Sequence, residues 1–213
     1  MPLFLNLNIS MKKRKKIIIT VLSVILALVL LSLGIVGISN LFSPKINTLS
    51  PSGGGDISFC PADYEEDIFA DKIYAKKQKD VFFSYDGEGE FITAQNYLSA
   101  NVSGKMFYNY FDCVIKGEYS VYPAFFSDEF KEDAILPEKF TMQKLYDISV
   151  TLESRQPYEQ GYVELYSVRY RIMDNNGTFR SDLKDDTVIP VYYTVYVTQD
   201  SALITGMSVP QIK

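Results

Sequence analysis

Few side chains in this 213-residue chain are suited to catalysis, because it contains no histidine and only two cysteines. The absence of histidine excludes Ser-His-Asp and Cys-His mechanisms and every His-ligated zinc or iron site. Two thiolates cannot by themselves complete a zinc ribbon or an iron–sulfur cluster. The three glycines at 53–55 are not followed by Gly-Lys-Ser/Thr, so they do not form a phosphate-binding loop. What remains is carboxylate and tyrosine chemistry.

Carboxylate catalysis near neutral pH would need an acid whose pKa is displaced by burial. Asp112 and Asp147 are the acids flanked closely by apolar residues on both sides. Helical periodicity is compatible with an outward Asp112, and strand alternation turns Asp147 away from its neighbours, so both are predicted to be solvated. The acids at 182, 185 and 186 lack the spacing of a calcium-binding loop. We therefore expect no enzymatic activity, no metal and no cofactor.

The two cysteines leave two interpretations open. Cys60 and Cys113 would form a disulfide if they lie together in an oxidising compartment. Alternatively, Cys113 packs among apolar residues of a helix while Cys60 stays a free thiol. We favour the second interpretation, because the composition is typical of a low-GC bacterium and such cell surfaces use few disulfides.

Charge is unevenly distributed along the chain. Five basic residues and no acidic residue occur before position 41, and residues 41–213 carry 16 basic and 26 acidic residues, a net charge of −10. Binding to nucleic acid depends on clustered Lys and Arg that neutralise phosphates, so an acidic body of this kind is a poor candidate for it. We expect no nucleic-acid partner.

Residues 17–39 form an uninterrupted uncharged, largely apolar stretch that predicts a transmembrane helix in the lipid bilayer. At 1.5 Å per residue, about 23 residues span roughly 34 Å, enough for a hydrocarbon core of about 30 Å. The alternative is a cleaved signal peptide, but its apolar region would be shorter and followed by a small-residue cleavage site. The basic cluster before the stretch predicts a cytoplasmic N-terminus and an extracytoplasmic C-terminal domain; it consists of Lys12, Lys13, Arg14, Lys15 and Lys16. Either Met1 or Met11 is the true start.

The predicted organisation has four parts: a cytoplasmic basic tail at 1–16, the single-pass signal anchor at 17–39, a linker and juxtamembrane segment at 40–80, and a domain at 81–213. Proline and three consecutive glycines make the stretch 43–56 a flexible tether. A short helix is predicted within 65–79, followed by a short strand at 81–83 and a turn at Asp86-Gly87.

The domain is predicted to place helices before strands. Apolar residues at helical spacing follow Thr93, a candidate N-cap, and end at Gly117. Shorter helices are predicted at 119–126, at 128–133 behind a Ser127 cap, and at 138–144. Four alternating strands follow near 146–152, 162–172, 191–197 and 203–209. The predicted fold class is α+β, with helices packed on a curved four-stranded antiparallel sheet.

Two stretches resemble the nuclear-transport-factor-2-like (cystatin-like cone) superfamily: MFYNYFDCVIKGEYSVYPAFFSDEF at 106–130 and FTMQKLYDISV at 140–150. The aromatic helix, the glycine and the Phe-Phe-Ser-acid sequence are typical of that fold, and the resemblance covers about residues 90–210. It implies an interior that can hold a small molecule, which Tyr166, Tyr170 and Tyr196 would line. The anchor, linker and domain are also similar in layout to assembly components of Gram-positive conjugative type IV secretion.

These observations predict a non-catalytic, membrane-anchored bacterial cell-envelope protein whose domain assembles with a protein partner. The layout of anchor, linker and domain indicates conjugative secretion as the process. One alternative is a sensor that binds a small molecule or peptide in the cone cavity. The other is an enzyme that uses the same cavity. A filled interior with an exposed apolar surface would favour assembly, and a large cavity with converging polar groups would favour a sensor or an enzyme.

Overall fold

The computed structural model describes residues 57–209. The predicted basic cluster at 12–16, the predicted transmembrane helix at 17–39 and most of the tether lie outside the described residues. Between residues 57 and 209, no helix is both long enough and apolar enough to cross a membrane.

The described chain forms one six-stranded sheet with two α-helices. The strands are β1 (Val81–Tyr85), β2 (Glu88–Ile92), β3 (Lys144–Tyr158), β4 (Gly161–Met173), β5 (Val191–Val197) and β6 (Ala202–Ser208), and their order in the sheet is β2-β1-β3-β4-β5-β6. The helices are α1 (Val102–Ile115) and α2 (Asp128–Asp133). Four single-turn 3₁₀ helices cover Ile68–Ala70, Tyr74–Lys76, Tyr97–Ser99 and Tyr122–Phe125.

The predicted four-stranded antiparallel sheet is wrong, because the sheet has six strands and is mixed. β1 pairs with β3 in parallel, and all other neighbours are antiparallel. The four predicted strands correspond to β3–β6, and the two that were missed or read only as a short strand form the hairpin β1–β2. The sequence of β2, EGEFI, has no apolar alternation that would mark a strand. The β1–β3 pairing joins residues more than 60 positions apart, which local patterns do not reveal.

The predicted turn at Asp86-Gly87 is the two-residue loop of this hairpin. Both residues have positive φ angles, 51° and 85°. Such a loop matches the right-handed twist of the flanking strands, which is why Asp-Gly is favoured there. The loop reverses the chain so that β2 lies at one edge of the sheet.

Helix α1 begins at Val102, nine residues after the predicted cap Thr93. The side chain of Asn101 caps it instead, accepting a hydrogen bond from the Gly104 amide at 2.7 Å. Gly117 follows its C-terminus with a φ of 68°, where a Cβ atom would lie 2.7 Å from the Met142 amide nitrogen. That position therefore requires glycine. Ser127 caps α2 as the sequence predicted.

The core lies between α1 and one face of the sheet, and aromatic rings fill it. Phe107 of α1 is fully buried, with its ring centroid 4.9 Å from that of Tyr166 on β4 and 5.9 Å from that of Tyr193 on β5. Phe111, one turn later, packs 5.7 Å from Tyr170. These edge-to-face contacts add to the burial of large apolar surfaces, so α1 is held firmly on the sheet.

The segment before β1 contributes to this core. Ile68 and Tyr74 are fully buried, and the Tyr74 hydroxyl donates a hydrogen bond to the Leu145 carbonyl at 2.8 Å. We call residues 63–79 the strap. Ile68 and Tyr74 thus belong to the same packed core as α1 and the sheet.

A single lysine ties the strap to the sheet. Lys144, at the start of β3, is almost fully buried, and its ammonium lies within 3.1 Å of carboxylate oxygens of Glu66, Asp71 and Asp174. Burial alone would lower the pKa of Lys144, but its hydrogen bonds to the three carboxylates outweigh burial and raise it. Lys144 therefore remains a cation and joins the strap to the β3 and β4 ends.

Candidate functional site

The two faces of the sheet differ in what they contact. Inward positions pack against α1 and belong to the core. Strand register places a second set of side chains on the opposite face, which we call the outer sheet face. Its members are Phe82, Ser84, Gly89, Phe91, Ser149, Thr151, Ser154, Gln156, Tyr158, Gly161, Val163, Leu165, Ser167, Arg169, Tyr192, Thr194, Tyr196, Leu203, Gly206 and Ser208.

The outer sheet face carries no acidic side chain among these positions, and Arg169, opposite Ser149, is its one charged member. Residues 57–209 as a whole hold 25 acidic and 14 basic residues, a net charge of −11. Further along β4, Arg171 continues the outward alternation beyond these positions. An area without acidic residues that spans six strands is unusual on such an acidic domain, because exposed sheet faces normally alternate to polar and charged residues.

Apolar and aromatic groups concentrate at two places on this face. Val163, Leu165, Tyr192, Tyr196 and Leu203 are partly exposed, and none of them packs against the core. At the other end, the Phe82 ring lies over Gly89 and packs edge-to-face with Phe91, the centroids 5.3 Å apart. Small hydroxyl side chains of serine and threonine lie between the two places. The face can therefore contact a second apolar surface closely.

The three tyrosines predicted to line a cavity are not brought together. Tyr166 and Tyr170 are buried on the inner face of β4, and Tyr196 lies on the outer sheet face of β5. The Tyr166 hydroxyl donates to Glu164 at 2.6 Å, and the Tyr170 hydroxyl accepts from Arg180 at 2.6 Å. Burial raises the pKa of both tyrosines. Their hydroxyl groups are thus committed to structural hydrogen bonds.

A second set of buried tyrosines fills part of the interior. The Tyr110 hydroxyl on α1 lies 3.1 Å from the hydroxyls of both Tyr122 and Tyr193, and burial raises the pKa of all three. In the part of the chain that the structure describes, every buried side-chain nitrogen and oxygen has a hydrogen-bond partner. The interior consequently offers no free polar group to recognise a ligand.

Glu164 is a buried carboxylate that sequence reasoning missed. It accepts hydrogen bonds from Ser103 at 2.6 Å, Tyr85 at 2.8 Å and Tyr166 at 2.6 Å, and Arg155 Nε lies 3.4 Å away. Burial, together with this carboxylate, raises the pKa of Tyr85 to about 12. The alternation of β4 could have found it, because Glu164 shares the inward phase of the strand's buried residues. These four partners satisfy the Glu164 carboxylate, which thereby links β1, α1 and β4.

An open cleft of about 360 Å³ lies beside this carboxylate. Phe83, Tyr85, Glu88 and Glu90 of the hairpin line it, together with Ala100 and Asn101 ahead of α1. Both glutamates are exposed, so water solvates them. The cleft is therefore acidic and shallow, unlike an enclosed apolar site with a few converging polar groups.

The other candidate acids have structural partners or face solvent. Asp112 forms an ion pair with Lys116 at 2.6 Å on the outer side of α1, and Asp147 is exposed. In the predicted acidic loop, Asp182 holds Arg180 at 2.6 Å, and Asp185 and Asp186 accept hydrogen bonds from Asn175 and Tyr146. Between residues 57 and 209, no group of three or more histidine, cysteine or acidic side chains is arranged to hold a metal ion.

Both cysteines are free thiols. Cys60 is exposed in the strap's N-terminal extension, and Cys113 is buried in α1, where its thiol donates to the Glu118 carbonyl. Burial raises the pKa of the Cys113 thiol to about 12. Cys113 is thus unreactive, because the thiolate is the nucleophilic form.

No protein-family model, curated protein or solved structure matches this chain. The resemblance to the cone superfamily and to secretion components therefore stays a prediction. The functional argument rests on the outer sheet face and on the filled interior.

Proposed function

We propose that residues 57–209 form a non-catalytic protein-interaction domain of the cell envelope and that the outer sheet face is its contact surface. The observation that carries the proposal is the absence of acidic side chains across this face, with Arg169 as its one charge, on a domain of net charge −11. Contact surfaces in assemblies are depleted of acidic residues and lysine and enriched in aromatic residues, methionine and arginine. Tyr192 and Tyr196 beside Leu165 fit that description.

The filled interior favours a protein-interaction domain over a sensor or an enzyme that would bind a small molecule inside the fold. A sensor or a cavity enzyme needs an enclosed space with polar groups aimed into it. Here aromatic rings occupy the layer between α1 and the sheet, and the hydroxyl groups of Tyr110, Tyr166 and Tyr193 are paired with protein atoms. The filled core therefore serves to hold the outer sheet face in shape.

The domain is held outside the cytoplasm in this proposal. In it, residues 17–39 span the cell membrane once, and a tether of about 14 residues at 43–56 would reach roughly 21 Å on average. Envelope assembly of the conjugative-secretion kind is the process that the chain's layout suggests.

A reporter fused after Lys213 is expected to be active only outside the cytoplasm. The five basic residues at 12–16 determine this orientation, because positive charges flanking a span are retained on the cytoplasmic side. Replacing all five by glutamine should lower the fraction of outward domain, measured by protease accessibility in intact cells. Full outward orientation of that variant would contradict the charge argument, whereas an inactive reporter on the native chain would contradict the location itself.

The contact surface is tested by placing one charge on it in the full-length protein. Leu165→Glu puts a carboxylate at the centre of the outer sheet face, where a bound partner would have to desolvate it. In gently solubilised membranes, the native chain should migrate in a complex larger than its own mass, and Leu165→Glu should shift it to smaller size.

A further inference from the structure

We propose that the outer sheet face binds a second copy of this chain, sheet against sheet about a twofold axis. This inference rests on the proposed function and names the partner at the same surface. A twofold contact uses one patch twice, so the patch must be complementary to itself. The first argument for that complementarity is charge.

Two copies of this domain repel each other over most of their surface, because each carries a net charge of −11. The outer sheet face lacks the acids that cause that repulsion, since Arg169 is the one charged side chain among its paired positions. A basic partner would instead bind where the acids are, for example near Glu88 and Glu90 in the cleft. A face without acidic side chains fits a second face of the same kind, and the chain itself supplies one.

The size of the face matches that of a stable dimer contact. Six strands at about 4.8 Å spacing are roughly 25–30 Å wide, and six or seven residues at about 3.3 Å extend roughly 20 Å. The flat area is on the order of 500–600 Å², and side-chain relief increases it. Stable contacts bury about 600–1,000 Å² on each partner, so this face lies near the lower end of that range.

The side chains of the face suit sheet-on-sheet packing. Val163, Tyr196 and Leu203 form one row across β4, β5 and β6, and Leu165 and Thr194 form the next. Two sheets pack about 10 Å apart when such rows interdigitate. The tyrosine hydroxyl groups and the neighbouring threonine can hydrogen-bond across the contact at its margin.

The sheet edges are poorly suited to the same role. Beyond Thr151, β3 continues past the end of β1 and its edge on that side has no ladder partner among the described residues. Pro157 lies in this stretch and has no amide hydrogen to donate, and Glu153 and Arg155 flank it. β2, at one edge of the sheet, carries Glu88 and Glu90, and β6, at the other edge, is partly covered by the backbone bridge between Ile204 and Phe126. Association through the face is therefore favoured over strand addition at these edges.

The test is sedimentation equilibrium of the purified full-length chain in density-matched detergent, with no other protein present. The chain has a mass of 24.2 kDa, so a dimer has twice that mass. We expect a monomer–dimer equilibrium for the native chain. Leu165→Glu should weaken dimerisation at least about 100-fold, because the twofold axis places two carboxylates in one contact.

Two further variants distinguish loss of the contact from loss of folding and from a general effect of an added negative charge. Thr194→Glu replaces an outer side chain that is already polar, so it should weaken the dimer without loss of thermal stability. Leu98→Glu makes the same chemical change as Leu165→Glu at a position that is 71% exposed and distant from the outer sheet face, so it should leave the dimer intact.

A native chain that remains monomeric at about 100 µM would overturn the second-copy inference. A dimer that survives both Leu165→Glu and Thr194→Glu would also overturn it, since the contact would then lie elsewhere. Neither result contradicts the proposed function, which is tested by the complex extracted from membranes. A purified monomer that still enters a face-dependent complex in membranes would identify a different protein as the partner.

Discussion

Phe107→Ala is expected to lower the free energy of unfolding by about 3–5 kcal/mol. The Phe107 ring is fully buried and packs against the rings of Phe83, Tyr166 and Tyr193, with centroids 4.9 to 6.4 Å away. Alanine would leave a cavity that these large, hydrogen-bonded neighbours cannot close. Chemical denaturation followed by circular dichroism measures the loss.

Phe69→Ala is the matched control, because it removes the same ring from a position that is 45% exposed. It should cost about 1 kcal/mol or less, as substitutions on the surface generally do. Equal losses for Phe69→Ala and Phe107→Ala would contradict the placement of α1 on the inner face of the sheet.

Lys144→Met should destabilise the folded chain by about 2–4 kcal/mol. The substitution keeps most of the side-chain volume but leaves Glu66, Asp71 and Asp174 close together without their shared cation. Loss of one partner of a fully buried ion pair costs about 3–5 kcal/mol, and the partial exposure of these acids reduces that figure. Thermal unfolding at neutral pH tests it, with Lys139→Met, a lysine outside this cluster, as the control.

The same cluster predicts a dependence of stability on pH. Hydrogen bonds from the Ile73 and Tyr74 amides, then the contact with Lys144, lower the pKa of Asp71 below its ordinary value of 3.8. A carboxylate with a depressed folded pKa stabilises above its unfolded pKa, and that stabilisation is lost as the pH falls through the folded pKa. Below about pH 4 the native chain should therefore lose stability more steeply than Lys144→Met. Parallel pH profiles of the two proteins would contradict the role of Lys144.

Period-two alternation correctly located β3–β6, and single residues correctly located two helix boundaries. Ile148 and Val150 of β3 alternate with polar neighbours in a way that no helix shares. Ser127 and Gly117 were recognised because a cap hydroxyl and a positive φ each have a local chemical requirement. Such local signals survive without knowledge of the tertiary fold.

Non-local contacts could not be predicted in the same way. Lys144 was assigned to the end of a helix, whereas it begins β3, and its carboxylate partners come from positions 66, 71 and 174. Tyr74 is a core residue only because the strap folds back on Leu145. A short amphiphilic segment of this kind resembles a solvated helix until the surface it packs against is known.

The sequence predicted which residues of β5 share a face, but not which of the two faces is the outer one. Alternation separates Tyr192, Thr194 and Tyr196 from their inward neighbours, but both sets are rich in apolar and aromatic residues. Which set faces α1 depends on the register of β4 and β5 and on the packing of Phe107. The structure resolves this and shows that the outward positions of all six strands form one face on which Arg169 is the one charged side chain.

The measurement that tests this account most directly compares Leu165→Glu with Leu98→Glu in the full-length chain, extracted from membranes and sized under native conditions. Both variants gain one negative charge at a leucine, one on the outer sheet face and one on an exposed 3₁₀ turn. We predict that Leu165→Glu dissociates the native complex while Leu98→Glu leaves its size unchanged. A complex of unaltered size for folded Leu165→Glu would contradict the assignment of the outer sheet face as the interaction surface.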